Sequence, residues 1–285
     1  MPASGPVALK VVEKAPSEKA RRGAFTCSLP SVAVRSAIRR SPSPPRIRPL
    51  RFRSCVPDFP VRAKSPEIVC CPRGRGTMAD LLPSVRELGR RGFTVMTFDY
   101  RDFGPGGPGE ADTLAHLVFA SRWVNDALGA MRFAKARGGG RVVFAWGQDL
   151  GGPVAIAAGA RDWTAVDAMA VEGLFRTSLE QVEYNGTAQI PGVQRQHRIA
   201  VEARDEPVSS VPVLRVPLFV VLAGKDAVTP PEVTKRLTMR SVSIIDQWTI
   251  PAAAHDGAEL TPGYFDRLAG WFKRIAALLP PRPAQ

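Results

Sequence analysis

The chain has 285 residues, 45% of them hydrophobic, which allows one sizeable core with a tail. Its net charge of +13 sits at the front: residues 1–55 hold 12 of the 39 Lys/Arg and 2 of the 26 Asp/Glu. The remainder is close to neutral, which argues against a nucleic-acid-binding body, and no apolar run approaches the length of a membrane span.

Residues 1–45 are basic, rich in Pro and Ser, and without sustained period; "RRSPSPPRIRP" reads as an extended linker. A disordered leader is expected there, with contact to nucleic acid or anionic lipid through residues 1–55 as the alternative. The N-terminus lacks the apolar core of a secretory signal. Prolines between Pro42 and Pro49 would break an amphipathic transit helix, so a soluble, cytoplasmic protein is expected. Cys70 and Cys71 are adjacent in the apolar run "EIVCC", which suits a buried strand, and no C-x-x-C pair occurs.

Regularity begins near Ile47. "IRPLRFRS" alternates as an edge strand does, with "PVRAKS" as a candidate partner. Strand and helix patterns then take turns. "EIVCC" is followed by the loop "PRGRGT" and a helical "MADLLPSVRELGRRG". "FTVMTFDY" is followed by the loop "RDFGPGGPGE" and a helical stretch from Leu114 to Gly140. "RVVFAWG" leads into a small-residue helix, "PVAIAAGA", and "TAVDAMAVEGLF" supplies another strand. Residues 172–216 are irregular and polar. "PLFVVLAG", the helical "PPEVTKRLTM", the strand "VSIIDQWTI" and the helical "YFDRLAGWFKRIAALL" complete the chain. Apolar runs alternating with amphipathic helices predict an α/β domain over residues 46–280, its mostly parallel sheet flanked by helices. Residues 172–216 are expected to form a short cap.

Chemistry concentrates at "WGQDLGG", residues 146–152, where a strand turns sharply into a helix. Gly147, Gly151 and Gly152 leave room for a strained central residue, and a helix N-terminus there favours a negative charge on Asp149. Asp226, in "VVLAGKDAVTPP", and His255, in "WTIPAAAHDGAEL", each lie just past the end of a predicted strand. All three therefore reach the edge at which parallel α/β sheets bind ligands.

The motifs "FDYRDFG", "GQDLGG", "GKDAVTPP" and "AAHDG" stand in the order of the α/β-hydrolase family, which the chain resembles over about residues 47–277. The resemblance implies a triad of Asp149, Asp226 and His255, with His255 as base and Asp226 orienting its ring. It also implies oxyanion donors at the backbone N–H groups of Leu150 and Arg75, and a lid tyrosine at Tyr184 that assists the leaving group. "GQDLGG" looks like the "GQSLGG" of serine esterases and peptidases with one letter changed. Family members that use aspartate, epoxide hydrolases and haloalkane dehalogenases, usually follow it with Trp, where this chain has Leu150. They also carry His-Gly-x-Pro where this chain has Arg73-Gly74-Arg75-Gly76, and their caps are generally longer.

Three readings of Asp149 stand open. It is a nucleophile that opens an epoxide or displaces a halide through an alkyl-enzyme ester; it is the mark of a serine enzyme turned silent binding protein; or it is a Ser-to-Asp variant of an esterase. A small-molecule substrate is expected in each case. His116 and His197 lack companions at metal-ligand spacing, and phosphate-loop and dinucleotide fingerprints are missing, so neither metal nor organic cofactor is expected. Asp99 and Arg101 read as structural ion-pair partners, and the scattered tryptophans as packing.

Overall fold

The computed structural model describes residues 65–74, 77–101, 103, 119–186, 201–243 and 245–280. Before these it gives only the strand Leu50–Cys55 and the two-residue strands Val11–Val12, Cys27–Ser28 and Ser31–Val32. The labelled strands are β1 (Leu50–Cys55), β2 (Glu67–Cys71), β3 (Thr94–Phe98), β4 (Val143–Gly147), β5 (Ala168–Glu172), β6 (Leu218–Ala223) and β7 (Ile245–Ile250). They lie side by side in the order β1-β3-β2-β4-β5-β6-β7. Six run parallel, and β1 pairs antiparallel with β3 through Phe52 opposite Phe98. The edge strand read from "IRPLRFRS" is thus present; its candidate partner at residues 60–65 lies almost wholly outside the described residues.

The helices are α1 (Leu82–Arg90), α2 (Ser121–Arg137), α3 (Gly151–Arg161), α4 (Ser178–Gly186), α5 (Pro231–Thr238) and α6 (Tyr264–Leu278). Strand residues alternate between the two faces of the sheet, and that alternation sorts the core into two layers. Val69, Cys71, Met96, Ala145, Met169 and Val220 join α2 and α3 on one face. Ile68, Cys70, Val95, Phe144, Trp146 and Phe219 join α1 and α6 on the other. The adjacent cysteines therefore point to opposite layers. Both are free thiols, and burial pushes Cys71 up to about 12.

The segment read as irregular, 172–216, contains more order than its composition suggested. It includes α4 and a helical turn at Pro207–Ser210, and Val211 and Leu214 are fully buried in the core. Nine residues and one turn are too short to show a period against a polar background. Of Asp99 and Arg101, read as ion-pair partners, Arg101 forms an ion pair and Asp99 caps a backbone N–H. Asp99 accepts from the backbone N–H of Met78 at 2.7 Å, and Arg101 pairs with the fully buried Asp126. Trp123, Trp146 and Trp271 are buried, while Trp163 is half exposed. Among the described residues no helix is long and apolar enough to cross a membrane.

Candidate active site

β4 ends at Gly147, and the chain reverses into α3 within three residues. Asp149 occupies the left-handed region at φ 49°, a conformation that is strained for a residue with a Cβ. The turn is this tight because other backbone crosses it. A Cβ on Gly147 would lie 2.2 Å from the Gly151 carbonyl oxygen, and one on Gly151 would lie 2.3 Å from that of Cys71. The glycines are therefore required by contact. The turn sets Asp149 at the N-terminal end of α3, where backbone N–H groups favour an anion.

Asp226 follows β6. Its Oδ1 accepts from the backbone N–H groups of Val228 and Thr229, each at 2.8 Å, and its Oδ2 accepts from the Thr229 hydroxyl at 2.7 Å. His255, after β7, donates from Nδ1 to the same Oδ2 at 2.9 Å. Its other nitrogen, Nε2, lies 3.6 Å from Asp149 Oδ1 and 3.8 Å from Asp256 Oδ1. The sheet thus brings together residues 149, 226 and 255 at one edge, with the ring between two carboxylates.

Burial works against a charged ring, but the nearby Asp149 carboxylate and the hydrogen-bonded Asp226 carboxylate outweigh it and push His255 up to about 9. Burial also raises Asp226, yet its bonds from His255 and Thr229 hold it below the usual carboxylate range. At neutral pH the ring is therefore an imidazolium flanked by acids, the resting state an aspartate at the elbow imposes.

Six residues that the sequence reading did not single out as site groups complete the surroundings. Gln148, immediately before Asp149, donates from Nε2 to Glu172 Oε1 at 2.5 Å. Its Oε1 accepts from Arg73 at 2.8 Å, and Arg73 also holds Glu259 at 2.5 Å. Ser84 donates to Glu259 at 2.9 Å, and the Tyr264 hydroxyl reaches Glu172 at 3.4 Å. Burial lifts Glu172 to about 7 against the opposing bond from Gln148 and the charge of Arg73. The signal for Glu172 was positional, since it ends the strand next to the elbow strand; the signal for Asp256 was its adjacency to His255.

A small cleft opens here, lined by Asp149, Glu172, Gly173, Ala223, Asp226, His255, Asp256 and Ala258. Tyr184 does not line it. Helix α4 buries Ser178 and Gln181 and leaves Tyr184 53% exposed. Leu150 heads α3 with its side chain in the core. Arg75, His116 and His197 lie outside the described residues.

The geometry bears comparison with known proteins. No protein-family model matches the chain, and no curated protein does either. Solved structures do. Esterase Pf2001 of Pyrococcus furiosus is similar at a TM-score of 0.65 and 13% identity, over 88% of this chain and 91% of that one. The chain has the α/β-hydrolase fold. The acetyl xylan esterase of Paenibacillus sp. R4 is similar at 0.61 and 16% identity, over 96% of this chain and 89% of its own. The esterase domain of a Rhodothermus marinus protein follows at 0.57 and 19%, over 81% and 95%. Across such low identity the shared property is the fold.

Proposed function

We propose that the chain hydrolyses a small organic substrate with Asp149 as nucleophile, attacking a saturated carbon of an epoxide or of a carbon–halogen bond. The observation that carries this reading is the His255 ring held by Asp226 at 2.9 Å and facing Asp149 at 3.6 Å. A carboxylate that attacked an ordinary ester would form an anhydride, a poor intermediate. At saturated carbon it forms an alkyl ester that water can cleave.

In the epoxide case an Asp149 oxygen bonds to carbon as the ring C–O bond breaks, and the freed oxygen takes the proton of His255 Nε2. The ester carries no charge, so the now neutral Nε2 accepts a proton from water, whose oxygen adds to the ester carbonyl. Collapse releases the diol and restores Asp149. A halide needs no such proton. Because Tyr184 stands outside the cleft, the donor role falls to His255, which favours the epoxide. Asp226 orients the ring, and the backbone N–H groups of Leu150 and Arg75 are the proposed donors to the oxyanion formed in the second step.

A second reading keeps the pocket and drops the chemistry. It is a silent relative of serine esterases that binds a small molecule, and the esterase neighbours and the single-letter difference at Asp149 favour it. Mass spectrometry of His255→Ala after exposure to terminal epoxides and haloalkanes separates the two. The nucleophile reading expects an alkyl adduct on the peptide carrying Asp149, with hydrolysis slowed roughly 10²–10⁴-fold. An unmodified peptide across the panel, with Asp149→Ser gaining activity on a short acyl ester, supports the silent reading.

A further inference from the structure

The reaction proposed above uses Asp149, His255 and Asp226 and leaves Asp256 without a task. Yet Asp256 sits in the same cleft, one residue after the histidine, with its backbone in the left-handed region at φ 59°. Among the described residues that line it, four are acidic, one is His255, and none is lysine or arginine. Such a lining selects for positive charge.

Three of its donor atoms share one point of access. One oxygen of Asp149, a ring nitrogen of His255 and one oxygen of Asp256 all lie within 4.8 Å of one another. Nε2 is 3.6 Å from Asp149 Oδ1 and 3.8 Å from Asp256 Oδ1. A tetrahedral ion about 2.1 Å from each ligand holds the ligands about 3.4 Å apart. The two distances to Nε2 are within a few tenths of an ångström of that spacing, and side-chain rotation of the carboxylates has at most about 1.4 Å to close between them. Asp226 already supplies the outer support that imidazole ligands usually have: by accepting from Nδ1 it fixes the ring and directs Nε2 toward the carboxylates. Among the described residues Arg73 is a competing cation, with Nη1 3.9 Å from Asp256, but its Nη2 is engaged by Glu259 and Gln148. A dication in direct contact with Asp256 outweighs a single charge at that distance.

We infer that Asp149, His255 and Asp256 form a binding site for one divalent transition-metal ion, with one imidazole and two carboxylates as ligands and a remaining position for water. That donor set suits zinc and, more weakly, manganese. The bound ion displaces the Nε2 proton to solvent, takes the lone pairs of Asp149 and Nε2, and therefore switches off alkylation of Asp149. The switching clause rests on the hydrolase reading; the binding clause does not.

The test is calorimetric titration of the full chain, stripped with a chelator, with zinc and then manganese, each variant checked for fold by circular dichroism. One ion per chain is expected. His255→Ala, Asp149→Asn and Asp256→Asn should each weaken binding at least about tenfold, and Asp226→Asn about 10–100-fold. His197→Ala and Cys27→Ser, candidate ligands elsewhere in the sequence, should change nothing. Should an elbow variant fail to fold, Asp256→Asn and His255→Ala carry the test. No stoichiometric binding, or binding that Asp256→Asn leaves intact, overturns the site. Zinc binding without any adduct in the metal-free protein sinks the hydrolase reading and leaves the site standing. Adducts without zinc binding do the reverse, and adducts undiminished by bound zinc overturn the switch.

Discussion

The two faces of the sheet carry separate apolar layers and serve the site differently. On the α2–α3 face the elbow helix contributes Ala155, Ala157, Ala158 and Gly159, small residues that let α3 press close to the strands. On the α1–α6 face larger rings dominate, and a polar chain runs through them to the edge. The Trp146 indole donates to the Tyr264 hydroxyl at 3.3 Å, Tyr264 reaches Glu172, and Glu172 receives the Gln148 amide beside Asp149. One face fixes where the elbow backbone lies. The other fixes the groups around its side chain, and only the second depends on ionisation.

The sharpest way to break this contrast is to cut packing under the polar chain. Phe272 is fully buried and stacks on Phe144 with ring centroids 4.5 Å apart. Phe272→Ala should cost about 3–5 kcal/mol in denaturant unfolding, the usual range for deleting a buried ring. A loss below about 1 kcal/mol would mean the α1–α6 layer is poorly packed.

A smaller effect should isolate ionisation. Glu172 is raised to about 7 from an ordinary value of 4.5, so the folded state binds its proton more tightly than the unfolded state. Its contribution is fully present below pH 4.5 and is lost as pH rises through about 7. His255, raised to about 9 from 6.5, acts with the same sign over pH 6.5–9. Stability should therefore fall across both windows, the first step amounting to at most about 3 kcal/mol. Glu172→Gln, which keeps the shape of the neutral acid, should flatten the pH 4.5–7 step and leave the upper one. A profile unchanged by Glu172→Gln would show that the carboxyl titrates normally in the fold.

The smallest effect is expected at Tyr184. Tyr184→Ala should alter stability by less than about 0.5 kcal/mol and leave alkylation of Asp149 unchanged, because the side chain is exposed and outside the cleft. A large loss of alkylation would restore the lid-tyrosine role that the resemblance implied.

What was legible in the sequence follows from the range of each signal. Strand alternation and helical spacing are local, so the elements from Glu67 to Leu278 could be read wherever a period had room to repeat. The edge holding Asp149, Asp226 and His255 was legible because each residue follows a strand end, and parallel strands finish on the same side. The Arg73–Gln148–Glu172 chain was not, since it joins two loops and a strand end, 75 and 24 residues apart, through side chains with no shared pattern. Tyr184 was placed by analogy of position in the chain, which does not determine which way a nine-residue helix turns. Arg75 was read from a loop motif and lies outside the described residues.

The central claim is that Asp149 attacks carbon and is regenerated by water. Single turnover of an epoxide in heavy-oxygen water, followed by mass spectrometry of the peptide spanning the elbow, tests it directly. The account predicts one heavy oxygen in the Asp149 carboxylate, because water enters at the ester carbonyl and one of its oxygens remains there. Diol formed with label in the product and none in Asp149 would contradict it.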